Sequence, residues 1–193
     1  MSRGKIIPVA AFVAVLTIVL SFLWFVKSHG FSARAKPSAM EAMLARHVRR
    51  IATDPGVKGR TNPLQPTPLA IAEARDHFAD HCALCHANDG SGKTVIGANM
   101  YPPAPDMRDK GTQNLTDGEL FSIIQNGIRF TGMPGWGGED QENWQLVLFI
   151  RHLPQLSEKE RQLMNEVNHL DPDAAVENEE KKPDRHHEQE IKP

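Results

Sequence analysis

The chain has only two cysteines, one tyrosine and three tryptophans in 193 residues, and aromatics make up just 6%. The two cysteines lie three positions apart, at Cys82 and Cys85. No thiol is left for a long-range disulfide, so all sulfur chemistry sits at one spot and compartment must be read elsewhere. Charge of one sign is also lacking: 22 Lys and Arg oppose 24 Asp and Glu, for a net charge of −2. With both signs mixed along the chain and few aromatics, a phosphate-reading nucleic-acid surface is excluded. The length gives room for one ordinary domain plus appendages, and excludes a multidomain enzyme.

Long apolar runs are scarce too, and the exception is at the start. From Ile6 to Val26 the chain is almost wholly apolar, broken only by Pro8, Thr17 and Ser21. A run of that length crosses the hydrocarbon layer as a helix. Arg3 and Lys5 precede it and Trp24 lies near its far end, a pattern that keeps the N-terminus cytoplasmic and exports the rest. Ala33-Arg34-Ala35 has the small-x-small form of a signal-peptidase site. A cleaved signal has a shorter apolar core ending nearer the cut, so retention as an anchor is the favoured reading and cleavage the alternative.

Met40, Met43, Leu44, Val48 and Ile51 then recur at helical steps with Arg46, Arg49 and Arg50 between them. This predicts a short amphipathic helix that packs on its own domain or forms a stalk, with partner docking as the other reading. Residues 54–68 carry Pro55, Gly56, Gly59, Pro63, Pro66 and Pro68, the composition of an extended spacer.

Four further helices have readable starts. Thr67 followed by Pro68 caps the first, which places Ile71, Ala74, Phe78 and Cys82 on one face. Thr116 and Glu119 have capping-box spacing, with Leu115 and Leu120 as staple and Gly127 as terminator. Glu139, Asp140 and Glu142 mark the positive end of a third helix that Pro154 stops. Ser157 and Glu160 box a fourth, with a narrow stripe of Leu163, Met164, Val167 and Leu170 that reads as peripheral. From Asp171 the chain turns acidic and reads as a disordered tail, where His186 and His187 are taken as solvated. Residues 87–114 hold glycines and prolines without the alternation of strands, and a loop that long in a compact domain needs something to fold around.

Cys82-Ala83-Leu84-Cys85-His86 is the spacing by which two thiols each add to one haem vinyl group while the next histidine ligates the iron. A thioredoxin-like redox pair would need alternating strands and helices, and a structural zinc site would need a second ligand pair at similar spacing. His77 and His81 precede the motif on its helix and read as exposed. Met100, Met107 and Met133 lie downstream as sixth-ligand candidates. Met133 is preferred because Thr131-Gly132-Met133-Pro134 puts it on a turn fixed by Pro134 and unencumbered at Gly132. Met107 reads as apolar wall, and Met100 as more of that wall or as a surface residue.

On these residues the chain resembles a class I cytochrome c domain of the short monohaem kind found with bacterial oxidases and dehydrogenases. The matching features are Phe78, the Cys-x-x-Cys-His motif, the Asp89-Gly90-Ser91-Gly92 turn, the proline-rich segment before Met107, the Gly132-Met133-Pro134 turn and the closing helix with Phe149. The resemblance implies an all-α fold of three core helices around one covalent haem c, with a transmembrane helix in front. It implies crossing of the first and last core helices, with Ala74 and Phe78 against Leu146, Phe149 and Ile150. It also implies a carbonyl of the Pro102–Pro105 segment accepting a hydrogen bond from His86. Ala74 and Ala87 stand where the family often has glycine.

The expected organisation is therefore a cytoplasmic N-terminus at 1–5, an anchor at 6–26, the amphipathic helix and linker at 27–68, the haem domain at 69–154, a peripheral helix at 155–170 and a tail at 171–193. Cys82, Cys85, His86 and Met133 bind the cofactor, with His86 and Met133 on the iron. A closed histidine–methionine pair suits one-electron transfer to redox partner proteins rather than enzymatic turnover of a small-molecule substrate. The chain is expected in the inner membrane with its haem domain in the periplasm. A subunit role in a larger oxidase or dehydrogenase, and a haem enzyme or gas sensor with displaceable Met133, are the alternatives.

Overall fold

The computed structural model describes residues 3–30 and 32–168, and every regular element among them is helical. Helix α1 spans Arg3–His29, α2 Ala39–Ala52 and the short α3 Pro55–Lys58. Helix α4, Pro68–His77, continues through a π-helical turn at Phe78–Cys82 into α5, Ala83–His86. Two single-turn helices follow, α6 at Val95–Ala98 and α7 at Lys110–Gln113. Helix α8 covers Asp117–Asn126, α9 Asp140–His152 and α10 Glu158–Val167, with a 3₁₀ turn at Leu153–Gln155 after α9. The all-α expectation holds. The chain divides into two units, residues 1–35 and residues 36 onward.

In the first unit, Val9–Ser28 is long and apolar enough to cross a membrane. Twenty helical residues span roughly 30 Å, the thickness of a bilayer core.

The second unit is organised by its caps and by one aromatic core. Thr67 accepts the amide of Ala70, and Pro68 occupies the first turn of α4. Thr116 and Glu119 form both halves of a capping box on α8, and Ser157 and Glu160 do so on α10. Each satisfies amide donors that a helix start leaves unpaired. Helices α4 and α9 pack together, with the rings of Phe78 and Phe149 5.1 Å apart and both side chains buried. Ala74, Leu146 and Ile150 belong to the same buried cluster. Helix α8 closes the other side of α9, where Phe121 stacks on Trp144 at 4.3 Å.

Two sequence expectations need correction. The segment read as an extended spacer is clipped to the domain. Gly118 donates its amide to the Arg60 carbonyl at 3.2 Å, and Asn62 Nδ2 donates to the Trp144 carbonyl at 2.8 Å. The Arg60 guanidinium lies over both Phe121 and Trp144, and Leu64 packs against the core. Cation–π contact and backbone pairing hold a proline-rich strip that composition alone marks as free.

Helix α2 forms as expected, and of the two readings of its apolar stripe the stalk is kept and packing on its own domain is not, because no α2 residue is buried. Helix α10 is more than peripheral. Met164 is fully buried in the core, Asn88 donates to Asn165 Oδ1 at 2.6 Å, and His152 Nε2 pairs with Glu160 at 2.8 Å. A narrow stripe suffices when one flexible side chain fills a core gap. Leu170 and the tail from Asp171, with His186 and His187, lie outside the described residues.

Candidate functional site

Buried Phe78 and Ala79 fix the π-helical turn, and the amide of Ala83 bonds to the Phe78 carbonyl to join it to α5. This single helical rod carries Cys82, Cys85 and His86. It ends at Ala87, whose amide bonds to Ala83 O and whose backbone takes φ 61° and ψ 157°. That conformation is almost confined to glycine, which gives a backbone reason for the glycine the resemblance implies at this position.

The long loop then folds back on the rod. Gly92 donates to the His86 carbonyl at 2.9 Å, Thr94 Oγ1 to the Cys85 carbonyl at 3.3 Å, and Met107 to the Gly90 carbonyl at 2.7 Å. Arg108 clamps the two ends of the turn, bonding both oxygens of Asp106 and Asp89 Oδ2 at 2.8 Å. Its hydrogen bonds hold the Asp106 carboxyl below the usual carboxylate range.

Between this rod and the segment after α8 lies an apolar cleft. Cys82, Cys85 and His86 line it together with Met100, Met107 and Met133. All four predicted site residues are therefore brought to one cleft, along with the other two methionines. Sequence reasoning missed other members of the lining: Ile124, Ile128, Trp136 and the exposed His81. His81 stacks edge-on to Trp136 at 5.8 Å. Only the spacing of His81 one residue before the motif hinted at its place.

The Met133 turn is braced from its own backbone. Thr131 Oγ1 donates to the Ile128 carbonyl at 2.8 Å and accepts the Met133 amide at 3.1 Å, while Ile128 donates to the Met133 carbonyl at 3.1 Å. Gly127, at φ 67°, lies so close that a Cβ there would strike the Met133 carbonyl and Pro134. A Cβ at Gly132 would collide with Met100 Sδ, so the missing side chain makes room for a neighbouring methionine.

Burial also sets the protonation of the site. It pushes the Cys82 thiol up to about 12, with Cys85 adding to the shift, and raises Cys85 as well. Activated redox thiols are shifted the other way. Burial lowers His86 to about 4, so its imidazole is neutral and able to ligate a metal. His86 Nδ1 is buried without a hydrogen-bond partner, so the implied bond to a Pro102–Pro105 carbonyl is not formed here. A neutral imidazole, two protonated thiols and thioether sulfurs around an apolar cleft fit a haem c better than a zinc ion, which prefers thiolates. Among the described residues no group of three or more His, Cys, Asp or Glu side chains is placed to hold a metal by itself.

Residues 69–150 match the family described as cytochrome c oxidase, cbb3-type, subunit III. The chain is 30% identical over 100 residues to the cbb3-type cytochrome c oxidase subunit FixPc of Rhizobium leguminosarum bv. viciae, covering 50% of this chain and 32% of that protein. It is 38% identical over 48 residues to a thiosulfate dehydrogenase of Stutzerimonas stutzeri (strain A1501), covering 23% of this chain and 16% of the other. The chain thus spans less than a third of the length of either relative. The helical unit matched at residues 69–150 is a class I c-type cytochrome domain, a haem protein of electron transport, carried behind a helix suited to membrane anchoring.

Proposed function

We propose that the chain is a membrane-tethered monohaem cytochrome c that passes single electrons between respiratory partners on the extracytoplasmic side. Cys82 and Cys85 hold the haem as thioethers, and His86 and Met133 supply the axial ligands. The observation that carries this reading is the convergence of Cys82, Cys85, His86 and Met133 on one apolar cleft. When bound, haem c supplies a ferric–ferrous one-electron couple. The apolar lining and the thioether both favour the ferrous state, and the neutral His86 leaves no charge to be compensated.

The role of a subunit within a larger oxidase is a second reading, favoured by the cbb3-type family match and the FixPc relative. The thiosulfate dehydrogenase match favours an enzymatic role over a shorter stretch.

Covalent attachment is tested by denaturing electrophoresis with haem staining and by intact mass. The chain is expected to retain one haem through denaturation, and the Cys82→Ser, Cys85→Ser double variant to lose it. A wild-type chain that releases its haem on denaturation, or that carries two, contradicts the proposal.

A further inference from the structure

Helix α2 has a face that its own domain leaves bare. Met40 is 74% exposed, Ile51 72%, Met43 61%, Leu44 60% and Val48 56%. At 100° per residue these five side chains fall on one side of the helix, together with His47. Ala42 and Arg49, the residues of α2 that are partly covered, fall on the opposite side. The stripe is therefore left uncovered among the described residues. Glu41, on one flank, is engaged by the Tyr101 hydroxyl at 2.5 Å, which ties the helix to the loop that lines the cleft. Arg46 and Arg50 border the stripe on the other flank and are exposed.

Two features identify the occupant. Ala39 follows the end of α1 by only ten residues, which reach at most about 35 Å when fully extended. The segment is also strongly basic: Lys27, Arg34, Lys36, Arg46, Arg49 and Arg50 face a single carboxylate, Glu41, between residues 27 and 50. A basic amphipathic helix held this near a bilayer matches the surface of that bilayer, apolar face toward the acyl chains and arginines at the phosphates. His47, with an apolar body and a polar tip, suits headgroup depth.

We propose that α2 lies in the interfacial plane of the membrane that α1 anchors. Its Met40, Met43, Leu44, Val48 and Ile51 stripe is seated in the lipid surface, and Arg46 and Arg50 bind anionic phospholipid headgroups. The inference rests on the anchor reading of α1.

The test uses the full-length haem-loaded chain in vesicles of phosphatidylcholine alone or mixed with phosphatidylglycerol. Leu44→Cys and Ala42→Cys variants are treated with a water-soluble maleimide, with the chain lacking the added cysteine as blank. Anionic lipid is expected to slow labelling at Leu44→Cys by on the order of tenfold while leaving Ala42→Cys unchanged. Adding Arg46→Gln and Arg50→Gln is expected to remove that lipid dependence. Equal labelling at both positions in both lipids overturns the proposal, as does protection of Leu44→Cys in native membranes alone, which assigns the stripe to a protein partner. Flotation with the vesicles distinguishes the failures: a chain that floats but stays accessible at Leu44→Cys refutes only the interfacial helix, whereas one that does not float refutes the anchor as well.

Discussion

At Ala87 the backbone sits at φ 61° and ψ 157° directly after the haem-motif histidine, and the side chain is buried. Such strain costs about 1–3 kcal/mol, against about 0.4–1 kcal/mol for the looser unfolded chain that glycine brings. Ala87→Gly is therefore expected to stabilise the domain by about 1 kcal/mol in denaturant titration, without altering the visible spectrum. The nearby Arg108 clamp gives a pH signature. Its hydrogen bonds depress Asp106 in the folded state, so the carboxylate's contribution is fully present above its ordinary pKa of about 3.9 and is lost as pH falls through the depressed value. The partly exposed clamp is worth roughly 1 kcal/mol. The stability gap between wild type and Asp106→Asn should stay constant from neutral pH down to about 4 and shrink below it. At this scale the sequence was legible where chemistry depends on spacing, as at Cys82, Cys85 and His86. It was silent where the outcome depends on a neighbour from elsewhere. Gly132 makes room for Met100, and neither residue announces the other.

Among the elements, the capped helices were the readable ones, because a capping box such as Thr116–Glu119 is satisfied within four residues. The segments set by distant contacts were not. The 54–68 strip has the composition of a spacer, yet Arg60 and Asn62 find partners on α8 and α9 that no local pattern reveals. The stripe of α2 was visible as periodicity, which states that a face is apolar but not what covers it. Helix α10 was likewise readable in its cap and not in its docking. Met164 is wholly buried, so Met164→Ala is expected to cost about 2–5 kcal/mol. A loss under about 0.5 kcal/mol in thermal or denaturant unfolding, typical of a surface position, contradicts its place in the core.

For the whole molecule, the all-α architecture and the anchor were legible because both follow from long periodic or apolar runs. Orientation is less simply written. Arg3 and Lys5 precede the span, but Lys27, Arg34 and Lys36 follow it, so positive charge alone does not decide which side the domain occupies. The interfacial role proposed for α2 gives the trailing charges a use other than topology. The central proposal is that His86 and Met133 would both ligate the iron of a bound haem, which would leave no open position and suit the domain to carrying electrons. All three downstream methionines line the cleft, so Met133 must be separated from Met100 and Met107 by experiment. Carbon monoxide titration of the ferrous full-length chain does so most directly. Closure of the iron by His86 and Met133 predicts no prompt binding by wild type, Met100→Ala or Met107→Ala, and prompt stoichiometric binding by Met133→Ala. Prompt stoichiometric binding by the wild type would contradict it.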